Sequence, residues 1–495
     1  MLFINFNFKI FDLLSVYLIL PEIFIFINFI VFFIILFLIS IKKIQFKFLN
    51  SVKFSLIFYS QIVIFTIFLY FNNINYNYNV FYFNYVSNFY INLIKILFLF
   101  LFLLFLFLLK EYLYINKIYI IEYVFLFCMT LIASLLVCSS SDFISLYLIL
   151  ELQNICLYIL ISLKRNSNLS LEASLKYFII SSITMGFFLY GVSLCYFSSG
   201  ALNFFDLEIF LWNFSFDPIM LFGYFFIFCS LIIKIGLPPF FLWLIDIYNG
   251  CSTFLLFYIL IFVKFFYFII LLKLSLIFYN LFFFFSDFFF IIIFLSVFVG
   301  SISALYQIKF KQLFIFSSLT NSSFFMFIFL LDIYESLVYI IYFSFSYLIS
   351  MIGIYIIISF FINWSTNKEV QKITGLVGLF YINPYISIFF SCFLLSLGGL
   401  PPFLGFFYKF YFFLYLINNN LTILFLVLFF FYSISIFYYL RIIKLIFLNK
   451  KKSWLFFKTF NKYKLYLLII LFWFNCFFIF FQNFILNIIF EWTCL

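Results

Sequence analysis

Glu151 in "SDFISLYLILELQNICLYIL", Lys234 in "LIIKIGLPPF", Lys264 in "LLFYILIFVKFFYFIILLK" and Lys409 in "GGLPPFLGFFYKFYFF" each stand inside a long apolar run. An ionisable group held in hydrocarbon costs about 3 kcal/mol even on lenient insertion scales, so its presence there points first to function. Glu151 lies nine residues past Asp142. That is about 13 Å along a helix, near mid-depth of a hydrocarbon layer about 30 Å thick. Desolvation disfavours a charged lysine and a nearby carboxylate favours it, so a buried lysine holds or releases its proton according to its partner. Three lysines and one glutamate at this depth make a proton relay. The structural alternatives are a static Glu151–Lys234 ion pair and snorkelling of Lys264 and Lys409 to an interface.

The relay has to work without histidine, because the sequence contains none. That excludes His-ligated haem, most zinc sites, Ser–His and Cys–His catalysis and the usual neutral-pH proton carrier. The nine cysteines, at 128, 138, 156, 195, 229, 251, 392, 476 and 494, form no C-x-x-C pair and read as small hydrophobes. No Rossmann glycine pattern, Cys₄ cluster or P-loop is present, so the chain is expected to have no redox centre and to bind no cofactor itself.

Two of the lysines flank one motif. "GLPPF" occurs at 236–240, just after Lys234, and again at 399–403, before Lys409. Gly and Pro interrupt helices, and a double Pro removes two backbone donors. Gly236, Pro238, Pro239, Gly399, Pro401 and Pro402 are therefore the expected helix breaks. Freed carbonyls and half-helix ends at such breaks orient charge and hold water.

The elements that carry these residues are membrane helices. The chain is 68% hydrophobic and 9% charged, against about a quarter charged for a soluble domain. Fourteen apolar segments centre near 20–41, 54–72, 92–109, 119–138, 143–163, 173–198, 218–245, 252–272, 287–306, 312–331, 336–362, 384–414, 421–440 and 465–490. They lack period-2 alternation, which excludes a barrel and leaves an all-α polytopic membrane protein. No cleavable signal peptide is evident in "MLFINFNFKIFDLL". The 97 Phe read as codon drift in an A+T-rich genome.

Loop charges give an orientation. "KKIQFKFLNSVK", "KEYLYINK", "KRNS", "KFK", "NKEVQK" and "RIIKLIFLNKKK" follow odd-numbered segments, while even loops carry "SSSD", "NFFDLE", "LDIYE" and "INNN". The positive-inside rule puts odd loops on the matrix or cytoplasmic side and both termini opposite. The net charge of +11 is thus a topology signal, and no nucleic-acid partner is expected.

The two motifs are 163 residues apart, in segments 7 and 12. Their segment numbers differ by five, an odd number, which makes the host helices antiparallel, as two inverted five-helix repeats, 4–8 and 9–13, predict. The expected organisation is 1–118 for three N-terminal segments, 119–273 and 274–442 for the repeats, and 443–495 for a basic loop and the last segment.

With these residues in place, the chain resembles the subunit 2 family of NADH:ubiquinone oxidoreductase (respiratory complex I), antiporter-like membrane subunits. "SDFISLYLILELQNICLYIL", "EASLKYFIISSITMGFFLYGVSLCYF", "KIGLPPFFLWLIDIYNGCST", "LYQIKFKQLFIFSSLTNSS" and "FLLSLGGLPPFLGFFYKFYFF" carry the match over about 140–415, with "LPEI" at 20–23 resembling the family's first helix. The resemblance implies that Glu151 modulates protonation of Lys234 and that Lys264 links to Lys409. The family often has histidine where this chain has Phe241 and Asn321. Water, or hydroxyls such as Ser317, Ser318 and Thr320, then takes those steps, with Asp142 and Asn321 also on the polar path.

The resemblance further implies a subunit of an H⁺-translocating NADH:ubiquinone reductase, with NADH, FMN, iron–sulfur clusters and ubiquinone in partner subunits. Expected partners are other membrane-arm subunits, including antiporter-like subunit 4 and small membrane subunits, and phospholipids including cardiolipin. The expected location is the mitochondrial inner membrane, multi-pass, with odd loops in the matrix and termini in the intermembrane space. Two other readings stay open on sequence alone: a stand-alone cation/proton antiporter subunit of the same superfamily, and a non-pumping structural subunit.

Overall fold

A computed structural model describes residues 18–35, 48–73, 78–80, 85–116, 120–164, 167–213, 217–278, 282–331, 333–363, 368–369, 372–448 and 462–493. The basic stretch 449–461 and the N-terminal residues 1–17 lie outside the described residues. The helices are α1 Leu18–Ile35, α2 Phe48–Asn72, α3 Phe89–Asn116, α4 Ile120–Ser139, α5 Phe143–Ser162, α6 Asn168–Ser199, α7 Phe204–Asn213, α8 Pro218–Ile235 and α9 Leu242–Gly250. They continue as α10 Thr253–Ile277, α11 Phe282–Leu305, α12 Phe310–Met326, α13 Ile333–Phe360, α14 Leu379–Ile382, α15 Pro384–Gly398, α16 Gly405–Asn418, α17 Thr422–Phe447 and α18 Lys462–Thr493. Two small antiparallel strand pairs join helices, β1 Tyr78–Val80 with β2 Tyr85–Ser87, and β3 Ile362–Asn363 with β4 Lys368–Glu369.

Every one of the fourteen expected segments contains helix, and segments 7 and 12 are broken as expected into α8/α9 and α15/α16. Among the described residues ten helices are long and apolar enough to cross a membrane. Large apolar side chains such as Leu148, Phe197, Ile423 and Phe430 are exposed, an arrangement that lipid satisfies and water does not. The chain is thus a multi-pass membrane protein. The short helices α7 and α14 lie outside the fourteen segments because neither is long enough to leave an apolar run.

The described residues form two compact units, Met1–Lys234 with Ile269–Asn280, and Ile235–Phe268 with Leu281–Leu495. In the first, α2 packs on α3, α3 on α4, α4 on α5 and α5 on α6. In the second, α11 packs on α12 and α17, and α13 on α15 and α18. The helix α10 is apolar all round and buried, as such a helix must be. It contains one π-helical turn, Ile259–Val263, ending just before Lys264. The widened turn leaves the Leu260 carbonyl free to accept from the Tyr347 hydroxyl at 3.0 Å.

The two GLPPF breaks have the same backbone. Gly236 and Gly399 are left-handed, at φ +77° and +70°, and the Pro238–Pro239 and Pro401–Pro402 bonds are both cis. Phe240 N–H donates to the Leu237 carbonyl at 3.0 Å and Phe403 N–H to the Leu400 carbonyl at 3.1 Å. Each Leu-Pro-Pro-Phe is therefore a closed turn entered through a left-handed glycine. A Cβ on Gly399 would also stand 2.6 Å from Lys409 Cδ and against the Tyr432 hydroxyl. Gly399→Ala is expected to destabilise the protein by more than about 1 kcal/mol, from backbone conformation alone before the collision is added. Thermal unfolding of the detergent-solubilised protein, compared with Gly398→Ala, checks this, because a Cβ at Gly398 meets only Tyr439 Cδ2 at 3.6 Å.

Candidate functional site

In the first unit, α5 carries Glu151 and α8 carries Lys234 one residue before the helix ends. Glu151 is half-buried and is the charged group whose field reaches Lys234. Lys234 is buried, and its Nζ donates to the Met185 thioether of α6 at 2.9 Å. A thioether is a weak acceptor, so it steers the ammonium without neutralising it. Asp142 does not lie in a span. It sits in the turn before α5, half-buried, where burial and then the Asp206 carboxylate push it above the usual carboxylate range.

In the second unit, Lys264 is buried directly after the π-turn. Its Nζ donates to Ser318 Oγ at 2.9 Å. Ser317, Thr320 and Asn321 share the buried helix α12 with Ser318. Tyr438 and Tyr439 of α17 are also buried, and their hydroxyls have no hydrogen-bond partner among the described residues. Tyr408 O–H donates to Asn321 Oδ1 at 3.4 Å. Its neighbour Lys409 is buried, with Nζ 4.4 Å from the centre of the Tyr432 ring and 5.4 Å from those of Phe324 and Tyr408. Aromatic faces attract a desolvated cation by about 2 kcal/mol.

The break in segment 12 explains where Lys409 points. A helix leaves its last four carbonyls unsatisfied, and here each has a partner. Leu395 accepts from Leu400 N–H at 3.2 Å and Ser396 from Gly399 N–H at 2.9 Å, the two bonds of a Schellman cap. The Leu397 carbonyl accepts from Lys409 Nζ, and the Gly398 carbonyl from the Tyr432 hydroxyl. A lysine at a helix C-terminus is also on the negative end of the helix dipole. The same reading does not fit snorkelling, since Lys264 and Lys409 both end on partners in the protein interior.

Several polar residues in the interior are not marked by the motifs. Tyr408, Tyr432, Tyr438 and Tyr439 have no signature in a chain with 38 Tyr. Glu22 and Lys95 form a buried ion pair at 2.6 Å, and the rule that singles out Glu151 applies equally to them, since they lie in the first and third apolar segments. Lys273, near the C-terminal end of α10, donates to the carbonyls of Val137 and Ser140. The position Phe241 is half-buried at the start of α9 and supplies no polar group.

Tyr432→Phe removes one of the four partners and leaves the buried Gly398 carbonyl bare, which is expected to cost about 1–3 kcal/mol. Ser318→Ala should destabilise less, because Lys264 keeps the Ser318 carbonyl at 3.4 Å. Parallel thermal unfolding of the two variants measures the order; equal losses would remove the cap its assigned weight.

The family described as NADH:quinone oxidoreductase/Mrp antiporter, transmembrane, matches residues 140–436. The chain is 30% identical over 390 residues to NADH-quinone oxidoreductase subunit N of Pelagibacter ubique, covering 78% of this chain and 81% of that one. It is 27% identical over 364 residues to NADH-ubiquinone oxidoreductase chain 2 of Marchantia polymorpha, covering 72% and 73%. Its fold superposes with a TM-score of 0.73, at 20% identity, on a chain of respiratory complex I from Thermus thermophilus with bound aureothin, covering 90% of this chain and 95% of that one. With broken helices and buried lysines inside the matched span, the chain belongs to the NADH:quinone oxidoreductase/Mrp antiporter membrane family.

Proposed function

We propose that this chain is a proton-translocating membrane subunit of an NADH:quinone oxidoreductase. Glu151 sets the charge of Lys234 in one step, and Lys264 passes protons toward Lys409 in the other. NADH oxidation, FMN, iron–sulfur clusters and ubiquinone belong to partner subunits, and this chain binds none of them. Its neighbours are other membrane-arm subunits, subunit 4 and small subunits among them, with cardiolipin at the lipid face. The membrane is the mitochondrial inner membrane, with the basic odd loops in the matrix. The motif-bearing segments 4–8 and 9–13 act as two inverted repeats.

The observation that carries this reading is the row of polar groups between Lys264 and Lys409. Ser318, Ser317, Asn321 and Tyr408 line buried faces of α12 and α16, and both ends of the row are lysines with hydrogen-bonded Nζ atoms. Hydroxyl and amide groups at this spacing relay a proton through intervening water. Quinone chemistry elsewhere biases the charge network between two states, and a change in the Glu151–Lys234 separation alters which of them holds the proton.

The test is Lys234→Met in the intact complex reconstituted into proteoliposomes, with proton uptake and NADH oxidation followed together. Both are expected to fall together, by about tenfold or more for loss of a general acid–base group. Unchanged rates would make the subunit a non-pumping member of the membrane arm.

A further inference from the structure

The buried pair Glu22–Lys95 is part of a closed triad. Lys95 Nζ donates to Glu22 Oε1 at 2.6 Å and to the Tyr85 hydroxyl at 2.9 Å, and that hydroxyl donates to the same Oε1 at 2.6 Å. Lys95 is wholly buried and lies over the rings of Tyr70 and Tyr85. Glu22 Oε2 is buried without a hydrogen-bond partner among the described residues. Exchanging a buried pair for apolar residues is often neutral or stabilising, so a charged triad with an open carboxylate oxygen is a poor design for stability alone.

The triad connects to the relay through one short turn. Tyr85, whose side chain closes the triad, pairs by its backbone with Ser140 in an isolated antiparallel bridge. Ser140 lies between α4 and α5, and its carbonyl accepts from Lys273 Nζ at 2.9 Å. On the other side Phe204 N–H donates to the Ser141 carbonyl at 2.9 Å and Phe143 N–H to the Leu202 carbonyl at 3.2 Å. Residues 140–143 are thus held by β2, by Lys273 and by 202–204 at once. The helix α5 starts at Phe143 and carries Glu151, about 12 Å further along its axis. A tilt at that turn moves the Glu151 carboxylate.

We propose that Glu22, Tyr85 and Lys95 are positioning residues for Glu151, acting through the Tyr85–Ser140 bridge and the α4–α5 turn. This rests on the proton-relay reading of Glu151. The charged groups around the linkage are Glu22 and Lys95 in the triad, Lys273 on the Ser140 carbonyl, and Asp142 in the turn itself with Asp206 near it.

The test uses the intact complex carrying Tyr85→Phe, Lys95→Met, Lys95→Arg or the neutral double Glu22→Gln/Lys95→Met, each alone and with Glu151→Gln. Two quantities are read: amide hydrogen exchange over 139–146 and NADH-driven proton translocation. Tyr85→Phe and Lys95→Met are expected to speed exchange there by at least roughly threefold and to slow translocation by a similar factor. Lys95→Arg should restore translocation, and none of the triad changes should slow translocation further once Glu151→Gln is present. Unchanged exchange in Tyr85→Phe, or losses that multiply with that of Glu151→Gln, overturns the positioning role and leaves the relay standing. Full translocation in Glu151→Gln alone overturns the relay and the positioning role together. Tyr85→Phe keeps the ion pair and the ring, and the double variant keeps no buried charge, so one of them decides the matter where Lys95→Met fails to assemble.

Discussion

A helix that stops inside a membrane must find partners for its last four carbonyls, since lipid offers none. At the end of α15 that requirement organises everything around it. Two carbonyls are closed by the glycine cap, and two recruit Lys409 and Tyr432 from other helices. The lysine is therefore brought to its place by the break, and the break is made tolerable by the lysine. Gly399 completes the arrangement, because only the absence of a Cβ lets Lys409 Cδ and the Tyr432 hydroxyl approach so near. The same backbone at Gly236–Phe240 gives α8 its end directly after Lys234.

Most of the fold and the charged residues of the site were legible in the sequence. Apolar run length located helix in all fourteen segments, and a repeated pentapeptide marked two breaks with the same geometry. Mid-run charge singled out Lys234, Lys264 and Lys409, all of them buried. What was not legible is who receives each charge. Met185 is 49 residues from Lys234 and Ser318 is 54 from Lys264, and no local pattern specifies a partner at that range. The Leu397 carbonyl is a backbone atom, which any residue type would have supplied. The π-turn before Lys264 has no compositional mark either, as "ILIFV" suits an ordinary helix equally well.

The missing histidines change the chemistry that the interior must use. Asn321 presents an amide, and the phenol of Tyr408 reaches it from α16. An amide and a phenol pass a proton by exchanging hydrogen bonds and hold no stable charge near neutral pH. In the proposed relay, charge storage then falls to Glu151 and the lysines, and the hydroxyls of α12 are buried beside them. The many phenylalanines surround these few polar atoms with a medium that screens little, so each remaining charge acts over a longer distance than it would in a wetter interior.

The π-turn in α10 carries a geometric consequence. An α-helix advances about 100° per residue, and one wide turn accommodates a residue that a plain helix of equal length would not hold. Side chains after Val263 are accordingly rotated out of phase with those before Ile259, although the axis runs on unbroken. The stripe on which Lys264 lies is thus not the continuation of the stripe that begins at Thr253. A helical wheel drawn through the whole of α10 assigns one half to wrong faces, and a comparison with any relative lacking the wide turn needs a one-residue offset at this point for the faces to correspond.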